Sequence, residues 1–202
     1  MRKLLMKNNT MKVSIAIFTI VITLFISACN QHKKTPQAWV LNKDSSTISI
    51  TTTKNNSVSE VSKFTSFTGS ISASGYFEIS INLDSLETNI PIRNERIQEH
   101  LFETHLFPTA DIHAQLKPED LETGVHSITF DADLHGLSSI LTAEFMVVEQ
   151  NGNKVITLHK PLIINANTFA LEKGISTLQN MAMLQSIANT VPVHLILTFK
   201  KL

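Results

Sequence analysis

The stretch "SITFDADLHGLSSILTAEFMVV", residues 127–148, alternates on both sides of a His-Gly pair. Ile128, Phe130, Ala132 and Leu134 alternate with Ser127, Thr129, Asp131 and Asp133; beyond His135-Gly136 come Leu141, Ala143, Phe145 and Val147. A period of two marks a strand with one apolar and one wet face. Two such runs about a glycine-containing turn predict an antiparallel hairpin.

The same period extends in both directions. Upstream, Phe77, Ile79, Ile81 and Leu83 alternate, as do Ala110, Ile112, Ala114 and Leu116. Downstream, Val193, Leu195, Leu197 and Phe199 alternate near the end of the chain, and Asn151-Gly152 is a second hairpin signature. Ile48 with Ile50, Val155 to Leu158 and Leu162 to Ala166 are shorter candidates, and Val58 to Phe64 is the weakest. About eight or nine strands in one small domain point to a barrel or sandwich. Two stretches break the period: Asn94 to His105, with Asn94 as expected N-cap, and the Met/Leu/Ala-rich Ser176 to Asn189, with Ser176 as cap. Both are predicted helices lying over the ends or side of the sheet.

The front of the chain reads as an address. Arg2, Lys3, Lys7 and Lys12 precede an almost wholly apolar run from Val13 to Ile26, short for a bilayer span and right for a secretory signal. Met11 opens a complete compact signal of its own. Ile26-Ser27-Ala28-Cys29 resembles the bacterial lipobox, with cleavage expected between Ala28 and Cys29. Cys29 is the chain's single cysteine, so the expected fate of its thiol is a thioether-linked diacylglycerol. The freed amino terminus is a second point for acylation, by palmitate for example, and two or more acyl chains anchor firmly. The expected organisation is a signal peptide over residues 1–28, a lipidated tether over 29–37 and one β-barrel domain over 38–202. The expected location is the bacterial cell envelope, on the periplasmic face of the outer membrane, since Asn30 rather than an aspartate follows Cys29.

Four of the 17 basic residues and none of the 17 acidic ones lie ahead of Cys29, which leaves the mature chain at a net charge of −4. That balance and the absence of a basic cluster argue against nucleic acid as a partner. With Cys29 lipidated, no intrachain disulfide forms, and the domain stands on its apolar core.

The helical interruption reads "IRNERIQEHLFETHLFPTADIHAQL", residues 92–116. It resembles the signature region of the YceI-like, or polyisoprenoid-binding-like, family, through Arg93-Asn94, His100-Leu101, Phe107 and Pro108-Thr109-Ala110. Trp39 to Ile50 is similar to the family's first strand, "DLHGLSS" within Phe130 to Val147 to its His-Gly hairpin, and "VPVHLILTF", residues 191–199, to its closing strand. The chain departs from the pattern in having only Gly69 and Gly75 after the first strand, Phe169-Ala170 for a late Phe-Gly, and a Leu/Met-rich stretch from Ile175 to Ile187. The resemblance implies an all-β-dominated fold: a lipocalin-like antiparallel barrel of about eight strands with one or two short helices. It also implies an apolar tunnel that in some members holds a long isoprenoid or similar lipid. Pairing of lipid-binding members puts a homodimer among the expected assemblies.

The inward set expected from phase is Phe77, Ile79, Ile81, Ile112, Ile128, Phe130, Phe145, Leu195 and Leu197. Phase alone does not separate a filled barrel from one holding a ligand. Arg93, near the expected rim, is the candidate for a lipid head group; the competing expectation pairs it with Glu95 or another carboxylate near the helix.

Signs of catalysis are sparse. There is no G-x-S-x-G, no glycine-rich phosphate loop and no H-E-x-x-H. His100, His105 and His113, with Glu99 and Glu103, are close in sequence, but His113 alternates outward, so no metal or other cofactor is expected. His135 is expected to serve its turn, and His126, His159 and His194 to face water. The leading expectation is a non-catalytic, membrane-anchored lipoprotein that binds an isoprenoid, a quinone-like molecule or a fatty-acid derivative. Behind it stand a filled barrel acting as an interaction module and, last, a metal-dependent enzyme.

Overall fold

The computed structural model describes residues 37–202. The signal segment, Ala28, Cys29 and residues 30–36 lie outside the described residues. The strands are β1 (Gln37–Leu41), β2 (Thr47–Lys54), β3 (Val58–Phe64), β4 (Phe67–Ser72), β5 (Tyr76–Asn82), β6 (Leu86–Glu87), β7 (Thr109–Gln115), β8 (Gly124–Leu134), β9 (Leu137–Gln150), β10 (Asn153–Leu158), β11 (Leu162–Asn165) and β12 (Thr190–Lys201).

These segments form eight courses of a closed antiparallel barrel. β1 pairs with β4 while β2 pairs with β3, so residues 37–54 and 58–72 make one long interrupted hairpin. β5 and β6 continue each other along β4 and β3, and β10 and β11 continue each other along β12. The ring runs β1-β4-β5-β7-β8-β9-β10-β12 and closes where Trp39 to Leu41 pairs with Phe199 to Lys201. Closure removes the sheet edges that an open sheet would expose.

The first course bends at a single 3-10 turn, Lys43–Ser45. Polar groups hold the bend. The Asn42 N–H donates to the Thr198 carbonyl at 2.7 Å, and the Thr198 N–H donates to Ser46 Oγ at 2.9 Å. The buried Thr198 therefore keeps a partner for both its backbone groups at the kink, one of them a side-chain hydroxyl.

The two predicted turns are two-residue loops. His135 and Gly136 have φ of 53° and 74°, and Asn151 and Gly152 have 53° and 75°. Left-handed geometry at both positions suits the right-handed twist of the flanking strands. At Gly136 a Cβ would also meet the Phe107 ring at 2.7 Å, so only glycine fits under that aromatic.

Phase explains what the pattern missed. β3 looked weak because its apolar Val61 points outward, 65% exposed, and Val58 stands in the inward phase only at the exposed strand end, while Glu60, Ser62 and Phe64 take the inward positions that follow. β4 gave no signal because the inward position between Phe67 and Ile71 is Gly69, packed beneath Ile79. Leu83 does not extend β5; it lies in the next 3-10 turn, fully buried.

Both predicted helices exist with shifted bounds. The first is α1 (Pro91–Ile97) followed by a π-helical turn, Gln98–Phe102. It begins at Pro91, because proline is preorganised for the first helical position. Asn94 is thus not its cap. Its Oδ1 accepts from the Thr88 N–H and Oγ1 at 3.0 and 2.6 Å, tying the helix back to β6. The second is α2 (Glu172–Met181); Ser176 is interior, its hydroxyl donating to the Glu172 carbonyl. At Gly174 a Cβ would meet the His100 carbonyl at 2.6 Å, so α2 lies backbone to backbone on the π turn.

The barrel has two unlike ends. The floor holds the start of β1, the end of β12 and the loops at 73–75, 116–123 and 151–152. The other end carries α1, the π turn, α2 and the turns at 55–57 and 135–136.

Candidate functional site

Between floor and cap the barrel is hollow. The cavity measures about 520 Å³, inside the range of roughly 300–1,000 Å³ typical of small-molecule sites. All nine residues of the predicted inward set line it: Phe77, Ile79, Ile81, Ile112, Ile128, Phe130, Phe145, Leu195 and Leu197. Phe130 and Phe145 meet edge to face with centroids 6.2 Å apart.

The space has a sequence cause. Ala110, Ala114, Ala132 and Ala143 occupy inward positions on β7, β8 and β9, and all but Ala143 border the cavity. Each supplies a methyl group where its strand neighbours supply Ile, Leu or Phe. The signal was present in the sequence as small residues in the apolar phase.

Toward the floor the lining continues to Leu116, Asp120 and His126. His126 was expected to face water, but it is in phase with Ile128 and Phe130 and so turns inward. Its Nε2 lies 2.8 Å from the Glu122 carbonyl oxygen. The ladder between β7 and β8 covers only Asp111 to His113 against Asp131 to Asp133, so β8 continues past His126 without a β7 partner.

At the cap end Lys54, Glu60, Arg93 and Arg96 border the cavity together, and Asp111 and Asp133 border it from the adjoining strands β7 and β8. Arg93 Nη1 donates to Glu60 Oε2 at 2.7 Å, and Lys54 Nζ sits 2.5 Å from the same oxygen. The pairing with Glu95 is therefore replaced by one across the rim, because α1 starts at Pro91 and turns Arg93 toward β3. The Lys54 hydrogen bond, with help from Arg93 and against partial burial, holds the Glu60 carboxyl below its usual 4.5. A carboxyl depressed on folding contributes stability above its unfolded value, and this is lost as pH falls through the folded value. Glu60→Gln should accordingly flatten the loss of urea resistance between about pH 6 and pH 3. Glu87, held low mainly by Asn94, leaves a residual slope in the same direction.

The other histidines are apart from the cavity chemistry. His113 stacks outward on Tyr76, whose hydroxyl lies 2.9 Å from Nδ1. His100 approaches only Glu99, at 3.6 Å, while His105, His159 and His194 are exposed. His135 staples the cap: Nε2 lies 2.9 Å from Glu103 Oε2, Nδ1 3.3 Å from the Phe169 carbonyl oxygen, and the ring meets Phe107 edge-on. Among the described residues no group of three His, Cys, Asp or Glu side chains is placed to hold a metal ion.

A family model described as the YceI-like domain matches residues 39–199. Among solved structures, a polyisoprenoid binding domain from Saccharophagus degradans, implicated in plant cell wall breakdown, is similar at 29% identity and a TM-score of 0.79. That similarity covers 82% of this chain and 99% of the other. Burkholderia cenocepacia BcnA is similar in fold, at 16% identity and a TM-score of 0.65, over 78% of this chain and 98% of its own. No curated protein matches the chain.

Proposed function

This chain belongs to the YceI-like domain family, and from that premise we propose that it is a binding protein whose barrel sequesters a long apolar ligand without chemical change. The observation that carries the reading is the apolar cavity of about 520 Å³ enclosed by the closed barrel. Transfer of a hydrocarbon chain from water to such a lining is favourable by roughly 25 cal/mol per Å² of apolar surface. The polyisoprenoid-binding character of the Saccharophagus degradans domain supports an isoprenoid; a quinone-like molecule or a fatty-acid derivative offers the same apolar chain. The hollow interior disfavours the filled barrel that an interaction module would present.

Organic extraction and mass spectrometry of the purified barrel, residues 37–202, test this directly. That segment closes its own sheet, and the core described above lies wholly within it. A stoichiometric lipid is the expected result. An empty barrel that takes up none of the three ligand classes on titration would overturn the reading.

The anchor completes the proposal. A barrel that stores membrane lipids works best where those lipids are, and Ile26-Ser27-Ala28-Cys29 supplies the means. We place the mature protein in the bacterial envelope, held through Cys29 at the periplasmic face of the outer membrane. Cys29→Ser should move the protein from the membrane to the soluble fraction with its thermal unfolding unchanged. Continued sedimentation of that variant with membranes through an uncleaved leader would sink the tether.

A further inference from the structure

Three strand edges of the barrel run on without a neighbouring strand, and each has a different cover. The β3 edge at 58–62 meets α1 through Glu60 and Arg93, and the β9 edge at 137–143 meets the 3-10 turn Ala166–Phe169. The third is the floor-end edge of β8. β7 and β8 pair only between Asp111 to His113 and Asp131 to Asp133, so β8 from Gly124 to Phe130 is bonded to β9 alone. The connection at 117–122 covers this gap. Asp120 borders the cavity there, as do His126 and Ile128 of β8, and Leu121 packs on the core.

The covers are not fastened alike. α1 is held by Arg93 on Glu60 at 2.7 Å, by Asn94 on Thr88, and by Gln98, whose Nε2 donates to the Asp84 carbonyl at 2.9 Å. The 166–169 turn is held by the Ala166 N–H on the Asn189 carbonyl at 2.8 Å and by His135 at the Phe169 carbonyl; α2, which follows it, lies backbone to backbone on the π turn. The 117–122 strap bonds mainly to itself. The Lys117 N–H donates to Asp120 Oδ2, the Asp120 N–H to the Lys117 carbonyl and the Glu122 N–H to the Glu119 carbonyl. Among the described residues one hydrogen bond ties it to a strand, the 2.8 Å contact of His126 Nε2 with the Glu122 carbonyl oxygen. A segment with so few ties opens locally at least cost.

The lining agrees. A carboxylate beside an apolar space is costly unless it is paired or reaches water. Asp120 is half-buried, and among the described residues its one partner is the Lys117 N–H. Its place suits a mouth rather than a sealed floor. Gln37 enters β1 at this same end of the barrel, so the anchor proposed at Cys29 holds the gap within about 30 Å of the bilayer by chain length. We propose that the 117–122 strap swings away from β8 and opens a side portal through which the apolar ligand enters and leaves the cavity. The portal deepens the binding reading and rests on it.

The test is the rate at which the 37–202 barrel takes up and releases a fluorescent fatty-acid probe, followed by stopped flow. His126→Ala frees the strap and should speed both, roughly fivefold, the factor carried by one ordinary hydrogen bond. His126→Gln, whose amide can donate to the same carbonyl, should return them toward the parent. Gln98→Ala removes a similar bond from α1 and should leave them unchanged. Cys29, the chain's single cysteine, lies outside this segment, so Glu119→Cys with Ser127→Cys, both exposed, places a unique pair on the strap and on β8. Joining the pair with a thiol-cleavable bismaleimide should slow exchange severalfold, and cleavage should restore it. Parent rates in either His126→Ala or the linked protein would overturn the proposal, as would faster exchange in Gln98→Ala than in His126→Ala. A barrel that takes up no probe overturns the ligand reading and the portal with it. Normal uptake at equilibrium, with rates indifferent to the strap, overturns the portal alone.

Discussion

Ala132→Trp should abolish ligand uptake while leaving the barrel folded. Ala132 lines the cavity from the cap-end portion of β8, half-buried, between the inward Phe130 and Leu134. An indole at this position projects into empty space rather than into packed neighbours. The usual cost of overpacking, about 1–3 kcal/mol, therefore does not apply in full, and new dispersion contacts across the void offset part of what remains. The volume left is too small for a long acyl or prenyl chain. Uptake of a fluorescent fatty acid should fall on the order of tenfold or more, and the lipid recovered by extraction should fall with it. Ser127→Trp supplies the control, since Ser127 is exposed on the outer face of the same strand. Its binding should match the parent. Undiminished uptake by a folded Ala132→Trp protein would show that the ligand sits elsewhere.

That experiment turns on a residue the alternation pattern reads only as apolar. The period of two located every course with a clean apolar phase, and the two glycine turns fixed which courses are hairpin neighbours. It failed where a course spends its inward positions on Glu60, Ser62 and Gly69, because inward-facing polar and small residues leave no amphipathic signature. Glu60 is inward because it closes the mouth with Lys54 and Arg93. The position that spoiled the strand signal is therefore a rim position. The cap was legible as helix but not in its bounds. A proline at the first turn and a π turn at the last moved α1 by three residues, and that shift decides which carboxylate Arg93 meets. Lys54 and Glu60 meet across the local β2–β3 hairpin, whereas Arg93 and Arg96 come from α1, and only the packing of α1 on that hairpin brings all four to one edge.

Phe199→Ala should be the most destabilising single change on the barrel wall. A hollow barrel lacks packing at its centre, so its stability is concentrated where the interior is filled. Phe199 is fully buried at the floor, outside the cavity lining, against Phe77 with centroids 5.9 Å apart. It is also the β12 residue that pairs on both sides, with Lys154 of β10 and with Leu41 of β1, at the point where the ring closes. Truncation leaves a void that rigid ladders on either side prevent from collapsing. Phe→Ala losses of about 3–5 kcal/mol are usual for such positions, out of a total of roughly 5–15 kcal/mol. In a domain of this length each kcal/mol lowers the thermal midpoint by about 2–4 °C, so a drop of roughly 10 °C is expected. Phe145→Ala should cost distinctly less, because Phe145 already faces the cavity and has fewer packed neighbours to lose. Urea and thermal denaturation of both variants give the comparison. Equal losses would mean that the cavity wall is packed as tightly as the floor, and that the hollow centre is not where the barrel gives up stability for its ligand.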